Sequence, residues 1–130
     1  MSVFLICLLG LLPSFALAES YPSKLVRVVI PYPPGSTPDI VGRSLADRLQ
    51  KSLGQPFVVD NRTGAGGNIG TEAVAKAAAD GYTLLVAING PLAVNKHLYR
   101  DLPFDPDKDL QPISLLVGAA DACSQTRSEN

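Results

Sequence analysis

One unit is repeated three times along this chain and limits its fold more than any other feature: a short apolar run, a turn rich in proline or glycine, then an amphipathic stretch with helical spacing. Leu25 to Ile30 is apolar and mostly β-branched, interrupted only by Arg27, as suits a strand buried on both faces. Pro31-Tyr32-Pro33-Pro34-Gly35 ends it. Thr37 is then placed as an N-cap, with Pro38 at the first helical position and Asp39 in the first turn. Val41, Leu45 and Leu49 recur every four residues, with Ala46 and Leu53 on the adjoining row, until Gly54 and Pro56 stop the helix.

The second unit is Phe57 to Asp60, a loop from Asn61 to Gly67, and a helix capped by Asn68 that runs to about Ala79, where Asp80-Gly81 ends it. The third is Thr83 to Ile88, then a shorter helix opened by Asn89-Gly90-Pro91 and continuing to about Tyr99. Strands alternating with helices of this length predict an α/β fold with a parallel sheet and right-handed crossovers. Residues 100–112 read as a Pro- and Asp-rich solvated connection, followed by one more apolar run, Ile113 to Val117. Ala119 to Asn130 has no periodicity and only small or polar residues, and is expected to be a disordered tail.

The N-terminus has a different character. Val3 to Leu12 is an apolar run well short of the roughly 20 residues a membrane-spanning helix needs. Pro13, Ser14 and the A-x-A sequence Ala16-Leu17-Ala18 follow, so residues 1–18 read as a secretory signal, with the mature chain beginning near Glu19. No Lys or Arg precedes the apolar run, and a buried N-terminal strand or helix is the competing reading. Cys7 leaves with such a signal, so Cys123 is the single thiol of the mature chain and no disulfide framework is expected.

Eleven Lys and Arg against twelve Asp and Glu give a net charge of −1, with no basic stripe and no Trp. That balance argues against a nucleic-acid partner. Ligands on open parallel sheets sit beyond the carboxyl ends of the strands, where loops meet helix N-termini. Three such junctions occur here: Pro34 to Asp39, Gly64 to Gly70, and Asn89-Gly90. Each offers backbone N–H groups, small residues and the positive end of a helix dipole, which suits an anion without a basic side chain. With no Lys or Arg inside them, a carboxylate held by neutral hydrogen bonds is favoured over a phosphate; Arg43 and Arg62 flank them. Spacing alone does not separate this role from the plain need for glycine in tight turns, and Asp39 fits a helix N-terminus equally well.

Rival chemistries fit less well. Gly64-Ala65-Gly66-Gly67-Asn68-Ile69-Gly70 lies between strand and helix as a dinucleotide fingerprint does, but its last glycine falls where Ile69 stands, and the next strand ends in Asn89 with no acid for a ribose. The Gly-Lys-Ser/Thr of a P-loop is absent. His97, the single histidine, reads as a partly buried helix residue, and Ser36 has no base near it in sequence. Asp101, Asp105, Asp107 and Asp109 lack the glycine and terminal Glu of a calcium loop. No catalytic, metal or cofactor site is expected, and a small nucleotide- or phosphate-binding α/β enzyme domain stays as the alternative.

At these junctions the sequence resembles the Bug-type receptors of tripartite tricarboxylate transporters. The resemblance rests on Tyr21-Pro22-Ser23-Lys24, Pro31 to Val41, Gly54-Gln55-Pro56, Asp60-Asn61-Arg62, Gly64 to Gly70, Ala78 to Leu84, Asn95 to Tyr99, Leu102 to Pro106 and Pro112 to Leu115. It covers about residues 21–118. It implies a type II periplasmic-binding-protein fold that closes on a small di- or tricarboxylate or amino acid-like solute and delivers it to membrane permease subunits, in the periplasm. It also implies carboxylate binding through loop N–H groups and water, by Pro34, Gly35, Ser36, Thr37 and Asp39 in the first loop and Ala65, Gly66, Gly67 and Asn68 in the second, with Asn89 and Gly90 lining the cleft. Ser36 stands where many members have a second glycine. Members are also much longer. The expectation is therefore a signal peptide at 1–18, the first part of lobe 1 at 19–118 and a non-family tail at 119–130, left by a frameshift or premature stop and non-functional as such a fragment.

Overall fold

The computed structural model describes residues 20–118, so the signal-like segment, both cysteines and the expected tail lie outside the described residues. The elements are β1 (Val26–Ile30), α1 (Thr37–Leu53), β2 (Phe57–Asn61), a 3₁₀ turn at Ala65–Gly67, α2 (Asn68–Ala75) and β3 (Thr83–Leu85). A π-helical turn at Gly90–Val94 then runs into α3 (Asn95–Leu98), and α4 (Pro106–Asp109) comes last. The three strands form one sheet in the order β2-β1-β3, and both pairings are parallel.

The most apolar strand takes the centre. Val26, Val28, Val29 and Ile30 are all essentially inaccessible, and each such side chain contributes about 1.5–3 kcal/mol relative to exposure. Parallel register places Val28 beside Val59 on one flank and Leu84 on the other. Together with Phe57, Val86 and Ala46, Leu45 and Leu49 of α1, these residues make the core. α1 lies close over β1 because Gly42 faces the strand: a methyl there would stand 2.5 Å from Ile30 Cδ1. Gly54 ends α1 in the left-handed conformation at φ 72°, its N–H bonded to the Gln50 carbonyl.

Several boundaries differ from the sequence reading. Ser36, not Thr37, occupies the N-cap of α1, and its hydroxyl donates back to the Pro33 carbonyl at 2.7 Å instead of capping. The capping role passes to Asp39, which accepts the Gly35 N–H at 2.9 Å from inside the first turn. Asn68 is the first residue of α2 and makes no side-chain cap, because its amide oxygen is taken by Asn95. α2 stops at Ala75 rather than near Ala79. Beyond it Asp80 organises a turn by accepting the Tyr82 N–H at 3.0 Å. β3 ends at Leu85, although the Val86 N–H still reaches the Val29 carbonyl at 3.0 Å. The acidic connection contains the one-turn helix α4, whose N-cap Asp105 accepts from the Asp107 N–H. His97 is exposed rather than partly buried, since α3 turns Asn95 inward. Ile113 to Val117 forms no regular element.

Candidate functional site

All three junctions lie beyond the carboxyl ends of parallel strands, so one end of the sheet gathers them. At the first, Asp39 is 3 % exposed and its carboxylate is saturated. Oδ1 accepts from Arg43 Nε at 3.0 Å and Asn61 Nδ2 at 2.8 Å, and Oδ2 accepts from the Gly35 N–H at 2.9 Å and Arg43 Nε at 3.0 Å. The Arg43 and Asn61 hydrogen bonds, then the Gly35 amide, hold its pKa down at about 2, against an ordinary 3.8. Asn61 Nδ2 also donates to the Tyr32 carbonyl at 3.0 Å, and Arg43 Nη2 donates to Asn61 Oδ1 at 2.8 Å. Asp39 thus fastens the first loop to the end of β2, and its oxygens face the protein.

The second junction turns through four consecutive left-handed residues: Gly64 at φ 126°, Ala65 at 48°, Gly66 at 64° and Gly67 at 95°. Three of the four are glycine because a side chain is strained there; Ala65 carries that strain. Within the turn the Gly67 N–H is bonded to the Gly64 carbonyl at 2.9 Å and the Asn68 N–H to the Ala65 carbonyl. Behind the loop, Thr71 Oγ1 donates to the Gly67 carbonyl at 2.8 Å.

The third junction packs on the second. Asn95, 5 % exposed, donates through Nδ2 to the Gly66 carbonyl at 3.2 Å and to Asn68 Oδ1, and Asn68 is itself 5 % exposed. A methyl on Gly67 would lie 2.9 Å from Pro91 Cγ and 3.2 Å from Tyr32 Oη. One on Gly66 would lie 3.2 Å from Tyr99 Oη, and one on Gly90 would lie 3.7 Å from Asn95 Oδ1 and 3.9 Å from Tyr32 Oη. Gly66 and Gly67 are therefore favoured by close approach as well as by φ, whereas at Gly90 the contacts would be ordinary. Burial pushes the Tyr32 phenol above its ordinary pKa; the nearby Ile88 amide works in the other direction but lies outside hydrogen-bond geometry.

Of the expected site residues, Gly66, Gly67, Asn68 and Gly90 come together around Asn95 and Tyr32. Ala65 lies in the same turn, and Asn89 is exposed at the head of the third helical segment. Pro34, Gly35 and Thr37 are exposed and Ser36 half-buried, and no hydrogen bond among the described residues joins these four to the other two junctions. The link runs instead through Tyr32 and Asn61, which sequence reasoning did not single out. Asn95 was not singled out either, whereas Arg43 was placed beside the junctions and proves to be tied to Asp39 and Asn61. Pro91 and Asn95 are both buried and four residues apart, so they share a helix face, and that spacing was the legible signal.

The two arginines flanking the first and second junctions are engaged: Arg43 with Asp39, and Arg62 with Asp60 at 2.8 Å. What remains is neutral amides, hydroxyls and backbone N–H groups, suited to a small anion held by hydrogen bonds. An open groove of about 250 Å³ lies elsewhere, between α1 and β2, lined in part by Gln50, Phe57 and Val59. Among the described residues no group of three or more His, Cys, Asp or Glu is placed to hold a metal, and no helix is long and apolar enough to cross a membrane.

Comparison with known proteins decides the family. Residues 41–123 match the family described as the tripartite tricarboxylate transporter family receptor. The chain belongs to this receptor family. BugT of Bordetella pertussis is 50 % identical over 100 residues, covering 76 % of this chain and 31 % of BugT. MatC from Rhodopseudomonas palustris, solved with bound malate, shares 40 % identity at a TM-score of 0.70 over 74 % of this chain and 33 % of its own. An R. palustris protein solved with adipate shares 42 % identity at a TM-score of 0.65, over 67 % and 29 % of the two chains. The chain thus spans about a third of the length of the relatives it matches. The family is one of solute receptors, not enzymes, and the nucleotide-binding enzyme alternative falls with that finding. The match runs to residue 123, five residues past Gly118, where the sequence suggested that the family pattern ends.

Proposed function

We propose that this chain forms the solute-facing end of one lobe of a tripartite tricarboxylate transporter receptor and holds a carboxylate of a small di- or tricarboxylate. The observation that carries this reading is the convergence of the second and third junctions around buried neutral amides, with the neighbouring arginines engaged elsewhere. In this reading the turn from Gly64 to Gly67 offers the N–H groups of Ala65 and Gly66, that of Gly67 being bonded to the Gly64 carbonyl, with Asn68 and Gly90 at its border. Asp39 acts by fixing the first loop, where Pro34, Gly35, Ser36 and Thr37 form the opposing rim. The malate and adipate seen in two structural relatives support a dicarboxylate. In this reading the chain works in the periplasm after cleavage near Ala18, and its partners are the transporter's membrane permease subunits.

A thermal-shift series tests it. Malate, adipate and citrate at millimolar concentration should raise the melting temperature of the chain, and ATP and NAD should not. Stabilisation by the nucleotides alone would overturn the reading.

A further inference from the structure

Tyr32 leaves one polar atom unexplained. Its ring packs against the core at the end of β1, yet its hydroxyl is the one buried side-chain polar atom among the described residues with no hydrogen-bond partner. Buried polar groups are almost always partnered, and a phenylalanine would fill the same space without the cost of desolvating a hydroxyl. The atom also sits at a particular place. It lies beside Gly67 of the second junction and Gly90 of the third, the two glycines where a methyl would fall 3.2 Å and 3.9 Å from it. The buried Asn95–Asn68 pair borders the same space, bonded to Gly66.

We propose that Tyr32 is a solute-binding residue whose hydroxyl donates a hydrogen bond to the carboxylate held between the second and third junctions. This rests on the receptor reading above. Gly67, Gly90 and the Ile88 amide lie beside the hydroxyl, all on the second and third junctions or the segment leading into them, so a small shift of either loop as solute enters brings it into reach. Selectivity follows as well. A hydroxyl with no internal partner is satisfied only by a solute with an acceptor at that point, so solutes lacking one leave it unpaired and bind more weakly.

The test compares wild type with Tyr32→Phe on two readouts. Without solute, the variant should melt at the same temperature as wild type or higher, because it removes an unpartnered hydroxyl. A lower melting temperature would show that the hydroxyl has a partner within the protein and would overturn the proposal. With malate, adipate and citrate, the variant should bind about tenfold more weakly, as loss of a hydrogen bond to a charged group predicts. Equal affinity of the two proteins would sink the Tyr32 role and leave the receptor reading standing. Absence of binding by wild type to all three would count against the receptor reading itself, and the Tyr32 role would fall with it.

Discussion

Asp39 accepts four hydrogen-bond contacts from three donors while lying almost wholly out of solvent. The sequence offered two roles for it, helix N-terminus and ligand, and the geometry favours the first in an extended form that ties loop, helix and neighbouring strand together. Its charge is therefore linked to folding. The folded-state pKa of about 2 lies below the ordinary 3.8, so the ionised form is favoured by folding. That contribution is complete above about pH 5 and is lost as pH falls through 4 toward 2. Asp39→Asn should accordingly melt below wild type at neutral pH, with the gap closing as pH drops below about 3. Melting curves of the two proteins across that range measure it. A gap that stays constant into acid would mean that the charge is not what holds the loop.

The helices show which parts of an element can be read from sequence. α1 was legible because seventeen residues carry a clear apolar stripe between a proline and a left-handed glycine. α2 was legible at its start and not at its end. Nothing in Lys76 to Ala79 opposes a helix locally, but Asp80 and Gly81 build a turn that a continued helix would break. Close approach is likewise a tertiary fact. Gly70 stands one residue past the place where a nucleotide fingerprint needs its last glycine, and its reason for being glycine is α2 pressed against backbone: a methyl would meet the Arg62 carbonyl oxygen at 2.7 Å, Pro31 Cβ at 2.8 Å and Pro31 Cα at 3.0 Å. Two of those atoms are backbone, so the clash is relieved only by moving the helix. Gly70→Ala should then be a net loss of about 1–3 kcal/mol, even though alanine gains about 1 kcal/mol of helix propensity. Urea unfolding would read this directly, and a variant as stable as wild type would show that α2 stands further from β1 than described.

At the scale of the molecule, the three-unit repeat was enough for the parallel sheet and for the end at which the loops gather, because both follow from chain connectivity. Strand order and the pairing of Asn95 with Asn68 were not, since they depend on contacts between residues far apart in sequence. The absence of basic residues from the junctions was legible, and the structure adds that Arg43 and Arg62 are bound to Asp39 and Asp60. That has a measurable consequence. Attraction between free charges is screened over roughly 10 Å at 0.1 M salt and 3 Å at 1 M, so a cation-held solute is released as salt rises. A carboxylate held by N–H groups, amides and a phenol meets short-range dipoles that salt screens little. The dissociation constant for malate, measured by calorimetry, should therefore change by less than about threefold between roughly 50 mM and 500 mM sodium chloride. A tenfold weakening would mean that an arginine leaves its carboxylate partner to meet the solute. Arg62, paired with Asp60 alone where Arg43 is held by Asp39 and Asn61 together, would be the one to replace first.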